Sequence, residues 1–90
     1  MKFEWDEKKS RSNKDKHGID FQTATQLWSD ADRIKIETPY PLENRYILIG
    51  KLDEKHWTAV FSKRGQATRI ISVHRARRRE VALYEEYCQK

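Results

Sequence analysis

The spacing of apolar positions changes several times along the chain, and each change marks an element. Phe3-Glu4-Trp5 alternates and predicts a short edge strand. From Asp6 to Gly18 no apolar residue occurs, yet Asp6 is a good N-cap, residues 7–17 are helix formers and Gly18 is a stop signal. The expected helix has no stripe to bury, so its ends, its Lys and Arg stems or polar contacts must hold it. Its polar face then becomes the one turned toward the body. Asp20 caps a second helix, in which Phe21, Ala24, Leu27 and Trp28 form one apolar face and Ser29-Asp30-Ala31-Asp32 the end.

Strand rhythms follow. Arg33 to Thr38 alternates with Ile34 and Ile36 on one side, and Pro39-Tyr40-Pro41 interrupts. Tyr46 to Leu52 is apolar on both faces at its centre, as an interior strand requires. Asp53-Glu54-Lys55 makes a turn, and His56 to Lys63 alternates with Trp57, Ala59 and Phe61 facing one way. Arg64-Gly65 makes a tight turn, and Ala67 to Val73 is the last strand. Strict alternation there sends Arg69, Ile71 and Val73 one way and Thr68, Ile70 and Ser72 the other. Arg75 to Tyr87 is a helix with Ala76, Glu80, Leu83, Tyr84 and Tyr87 on one side. The order is β-α-α-β-β-β-β-α. Short connections make the consecutive strands an antiparallel meander with the helices packed on one face, an α+β class.

Ninety residues suffice for one core, so a single domain over residues 1–90 is expected. Charged residues make up 37% of the chain and mean hydropathy is −1.02, but three Trp, four Tyr and three Phe argue for a folded domain with a very polar surface. No apolar run approaches the roughly 20 residues of a membrane span, so no membrane partner is expected. The start is no signal peptide, and the single Cys88 excludes an intramolecular disulfide framework. A reduced, cytoplasmic compartment fits. The net charge of +5 is concentrated: residues 47–80 carry nine basic side chains against three acidic. Such a field attracts polyanions, although a solvated basic face or an acidic protein partner answers to the same charges.

Three constellations carry possible chemistry. Lys9, Asn13, Lys16 and His17 share one face of the first helix, where a cation, an amide and an imidazole could grip a phosphate and move a proton. Arg69 stands within the most apolar strand and needs a partner, for which Glu80 on the last helix is the obvious choice. At the strand-to-helix junction, His74-Arg75-Ala76-Arg77-Arg78-Arg79 sets Arg75 and Arg79 at i, i+4 and crowds cations at a helix N-terminus, which an anion would relieve. No phosphate loop, dinucleotide fingerprint or metalloprotease motif occurs, so neither a metal nor an organic cofactor is expected. Metal-free RNA cleavage suits this inventory. It needs a base for the 2′-OH, cations against the phosphorane charge and an acid for the leaving oxygen.

Trp5-Asp6-x-x-Lys9-x-x-x-Asn13-x-x-Lys16-His17-Gly18-x-x-Phe21-x-x-Ala24 resembles the N-terminal signature of the BrnT toxins of bacterial toxin–antitoxin systems. Arg45-x-x-x-Ile49-Gly50 is similar to that family's central strand, and the run from Arg64-Gly65 through Arg69, Ser72, Arg75, Ala76 and Glu80 to Tyr84 resembles its C-terminal signature. The resemblance implies a RelE-like fold, a ribonuclease activity that halts translation, and neutralisation by a BrnA-like antitoxin with a ribbon-helix-helix domain. Operator DNA would be reached only through that antitoxin. Lys16, His17, Arg64, Arg69, Arg75 and Glu80 are the candidate catalytic residues, and Lys9, Asn13, Ser72, His74, Arg77, Arg78 and Arg79 the candidate RNA contacts. Val73-His74 departs from the small-then-basic pair expected before Arg75. The basic second half is expected to form the surface that RNA uses and the antitoxin covers, with Trp28 and the first helix rimming one groove. A non-catalytic basic nucleic-acid-binding module and a toxin whose activity has decayed remain as alternatives, although the Arg cluster lacks the interleaved aromatics of a base-stacking module.

Overall fold

The computed structural model describes residues 1–38 and 44–88. Five strands, β1 (Lys2–Glu4), β2 (Ile34–Glu37), β3 (Tyr46–Leu52), β4 (Lys55–Arg64) and β5 (Ala67–Arg75), form one sheet in the order β1-β5-β4-β3-β2. The three helices are α1 (Glu7–His17), α2 (Phe21–Ala24) and α3 (Arg78–Cys88). The α+β class and the element order are as expected. The meander from β2 to β5 is antiparallel throughout, and β1 adds to its edge in parallel to β5. Pro39, Tyr40 and Pro41, expected to interrupt the chain, lie outside the described residues.

Short-range chemistry sets the elements. Asp6 Oδ1 accepts from the Lys8 N–H at 2.8 Å to open α1, and Gly18 closes it at φ +81°, a conformation that favours glycine. Asp20 Oδ1 accepts from the Thr23 N–H at 2.8 Å to open α2. Only one α turn follows, because the chain tightens into a 3₁₀ turn over Thr25–Ser29. Phe21, Ala24 and Leu27 nevertheless reach the core as the apolar spacing required. Burial of a side chain such as Phe21 or Leu27 contributes about 1.5–3 kcal/mol. Leu27 lies so close to Gly50 that a Cβ there would stand 3.2 Å from the Leu27 carbonyl oxygen.

The core lies on the sheet face formed by Leu48, Trp57, Ala59, Phe61, Ile70 and Val73, against Ile19, α2 and its 3₁₀ extension. The opposite face carries Ile49 and Thr58, both fully buried. Helix α3 covers it, with Tyr84 edge-on to His56 at 4.9 Å and Glu80 bonded to Thr58. The helices therefore divide between both faces rather than sharing one. The two-sided apolar centre of β3 is the reason: Leu48 and Ile49 each need a cover.

A β-bulge corrects the expected alternation in β5. Val60 pairs with Ser72 but Phe61 pairs with Ile70, so Ile71 is the extra residue. Beyond the bulge the two faces exchange. Ile70 and Val73 both enter the core, and Arg69 joins Ser72 on the α3 face instead of following Val73 inward. Strand β5 also runs on to Arg75, with the Ala76 N–H donating to the His56 carbonyl, so α3 starts at Arg78 rather than Arg75.

Candidate active site

Strand β1 covers β5 only from Ala67 to Arg69, and beyond it α1 occupies the strand edge. The Asn13 side chain acts there as a strand would. Its Nδ2 donates to the Val73 carbonyl at 2.9 Å, and its Oδ1 accepts from the Val73 N–H at 3.1 Å. Nδ2 also donates to the Ile19 carbonyl at 2.8 Å, while Ser10 Oγ accepts from the Phe21 N–H at 2.9 Å. Ser10 and Asn13 are the buried residues of α1, so the helix docks by hydrogen bonds where an apolar stripe would ordinarily serve. Its polar face is indeed turned toward the body.

That docking opens a cleft of about 200 Å³ between α1 and the bulge of β5, lined by Lys9, Ser12, Asn13, Lys16, His17, Ile71 and Ser72. Two residues beyond Ser72, His74 points to the same face. Its ring lies 6.4 Å from that of His17, centroid to centroid, and its Nε2 is 3.3 Å from Glu80 Oε1. In the tautomer that donates Nε2–H to this carboxylate, Nδ1 is the acceptor nitrogen. Glu80 Oε1 further accepts from the Thr58 hydroxyl at 3.0 Å and from the Arg77 N–H at 2.7 Å. The last contact is half of a capping box and fixes the start of α3. Burial pushes the Glu80 carboxyl up, but the bonds from Arg77, Thr58 and His74 outweigh it and hold it below the usual carboxylate range.

Several expected placements change. Arg69 does not meet Glu80: it donates to Glu4 at 3.1 Å, and Arg64 lies 3.4 Å from the same carboxylate. Register explains this, because Arg69 stands directly opposite Glu4, whereas Glu80 sits at the level of Thr58 and His74. Arg75 closes β5 and lies over the Trp57 ring at 5.4 Å, so it makes no i, i+4 pair with Arg79 on a common helix. Arg77, Arg78 and Arg79 are exposed at the head of α3. Asn13 is interior. Trp28 packs between Phe3 and Phe61, on the sheet face away from His74, and lines a different pocket from the one beside α1. The fold thus unites Lys9, Lys16, His17, Ser72, His74 and Glu80, and sets Arg64 with Arg69 in a second cluster on Glu4. Sequence reasoning missed Thr58, whose role depends on facing His74 across two strands.

A phosphate in the cleft would meet two ammonium groups, the hydroxyls of Ser12 and Ser72 and the His17 imidazole, with the carboxylate-held His74 two residues along the strand from Ser72. This set supplies charge stabilisation and proton transfer at one point. The family model described as ribonuclease toxin, BrnT, of type II toxin-antitoxin system matches residues 5–80. Comparison with curated proteins finds no match.

Proposed function

The chain belongs to the BrnT family of ribonuclease toxins of type II toxin–antitoxin systems, and we propose that it is a metal-independent endoribonuclease whose reaction is centred on His74. The whole of residues 1–90 forms the toxin domain in this reading. The observation that carries it is the His74–Glu80 contact beside a lysine-lined cleft, with a second imidazole 6.4 Å away. His74 Nδ1 takes the proton of an RNA 2′-OH. The 2′-oxygen forms a bond to phosphorus, the bond to the 5′-oxygen breaks, and His17 delivers a proton to that leaving oxygen. Lys9 and Lys16 face the charge that grows on the phosphoryl oxygens, and Ser72 offers them a hydrogen bond. Glu80 is a positioning residue, holding the tautomer and direction of His74. Arg64 and Arg69, fixed by Glu4, extend the cationic track along the sheet, and Arg77, Arg78 and Arg79 bound it at the α3 end, whereas Arg75 lies over Trp57 on the other face. The products are a 2′,3′-cyclic phosphate and a 5′-hydroxyl.

A type II toxin has a protein antitoxin as partner. For this chain we infer a BrnA-like ribbon-helix-helix protein that covers the cleft, contacts operator DNA on behalf of the pair, and in the cytoplasm prevents RNA cleavage from stopping translation. No described helix is long and apolar enough to cross a membrane. Incubating the purified chain with RNA in EDTA tests the catalytic reading. Wild type should yield cyclic-phosphate ends, and His74→Ala and His17→Ala should each lower the rate by about 10²–10⁴-fold while still binding RNA. RNA left intact by the wild type would favour a non-catalytic binding module. Cleavage unaffected by either substitution would place the chemistry elsewhere.

A further inference from the structure

On the sheet face away from His74, a cavity of about 450 Å³ runs across the strands from Met1 and Thr68 to Lys35, lined also by Leu48, Phe61, Trp28, Arg33 and Lys63. That volume lies within the roughly 300–1,000 Å³ range of small-ligand sites. Its two rings, Trp28 and Phe61, meet edge-on at 5.2 Å, and Phe61 in turn stacks on Tyr46, beyond the lining, at 5.4 Å with 20° between planes.

The cations are arranged against their own repulsion. Lys35 on β2 and Lys63 on β4 flank β3, and both bring their ammonium groups over the one Tyr46 ring, at 5.6 Å and 5.1 Å from its centroid. The negative face of the ring attracts each. It does not remove the repulsion between two ammonium groups this close, and contact with Lys63, through a side-chain hydrogen bond first and its charge second, holds Lys35 below the usual lysine range. Among the described residues neither lysine makes an ion pair with an acid. A phosphate between the two ammonium groups would turn the repulsion into two attractions.

The geometry points to a second nucleic-acid subsite: one nucleotide of a single-stranded RNA, its base against Trp28 and its phosphate between Lys35 and Lys63. Aromatic walls beside paired cations favour this occupant over an acidic protein segment, which would use the cations and leave the apolar cavity empty. The subsite holds RNA remote from the scissile bond. The choice of RNA as the polymer rests on the ribonuclease reading, whereas the site itself is read from binding and not from cleavage.

The test titrates the full chain with a 2′-O-methyl oligonucleotide, which has no attacking hydroxyl, and follows backbone and indole amide signals by NMR. Signals of Trp28, Lys35, Tyr46 and Lys63 should shift, and should still do so in His74→Ala, so that failure of the catalytic reading leaves this result untouched. Lys35→Ala/Lys63→Ala, both at exposed positions, should keep the wild-type melting temperature, weaken binding roughly tenfold and flatten its salt dependence. A saturating oligonucleotide that leaves these four residues unmoved overturns the proposal, as does unchanged affinity and salt dependence in the double variant. A polyglutamate peptide that shifts the same signals when the oligonucleotide does not would overturn it in favour of an acidic protein partner.

Discussion

Asn13 shows how one side chain can replace an apolar stripe. Its amide satisfies both backbone groups of Val73 and the carbonyl of Ile19. Asn13→Ala strands these groups at a buried edge, so stability should fall by about 2–4 kcal/mol in urea unfolding. Asn13→Asp should do no better, because a carboxylate cannot donate to the two carbonyls. The absence of apolar residues from Asp6 to Gly18 announced that the helix would dock by polar means. It did not say that Asn13 would be the anchor and leave Lys9, Lys16 and His17 for the cleft. Arg69 was legible as a residue in need of a partner, but Glu80 was the wrong choice, since pairing with Glu4 depends on register across β1 and β5; Glu80 meets Thr58, His74 and the Arg77 N–H instead. Its carboxyl lies below the usual range in the folded state. The stabilisation is therefore complete above the unfolded value of about 4.3 and is lost as pH falls through the lower folded value. Urea midpoints between pH 6 and pH 3 should fall less steeply in Glu80→Gln than in wild type. Parallel curves for the two would remove Glu80 from the acid response.

At the scale of elements, the bulge in β5 does most to build the site. The strands were legible from alternation, as half-buried strands require, and β3 from an apolar centre on both faces. The bulge was not, because Ile70-Ile71 reads equally well with either Ile inward. Its effect is to place Ile70 and Val73 in the core while Arg69, Ser72 and His74 share the other face. Deleting Ile71 would leave Ile70 paired with Phe61 and Ser72 with Val60 in a regular ladder, keeping Ile70 and Val73 inward and Arg69, Ser72 and His74 on the other face. The deletion should therefore keep unfolding cooperative while straightening the strand beside the cleft and lowering RNA cleavage, and Ile71→Ala, at a half-buried position, should cost no more than about 1–2 kcal/mol. A second test lies in the two-residue turn from β3 to β4, where Asp53 and Glu54 both adopt positive φ, +52° and +67°. Two left-handed residues suit this hairpin turn, but glutamate is a poor occupant of the second position. Glu54→Gly should raise stability by about 0.5–1 kcal/mol in thermal melts, and a lower melting temperature would argue against strain there.

Over the whole molecule, charge and fold act together. The basic excess of residues 47–80 suggested a surface built from the second half, with Trp28 and the first helix only at its rim. The fold instead brings Lys9, Lys16 and His17, from the first helix, against Ser72 and His74, so the cleft is shared between distant parts of the chain. Asp30 performs a similar union. Its carboxylate accepts from the Asp32 and Lys51 N–H groups and from the Tyr84 hydroxyl, tying the end of the 3₁₀ turn to β3 and α3. A single aspartate among loop residues gave no signal of this. If the antitoxin silences the enzyme by occupying the cleft, its contacts must answer the same ammonium groups that face the phosphate. Lys9→Glu/Lys16→Glu, both exposed on α1, should then weaken both RNA cleavage and antitoxin binding. The wild-type complex should lose more affinity than the variant complex as salt rises, because the variant has fewer attractions left to screen. Calorimetry of both complexes at low and high salt reads the difference directly. Lost cleavage with unchanged antitoxin affinity and salt dependence would mean that inhibition acts from another part of the surface. The lysine pair over Tyr46 would then be the next place to reverse charge.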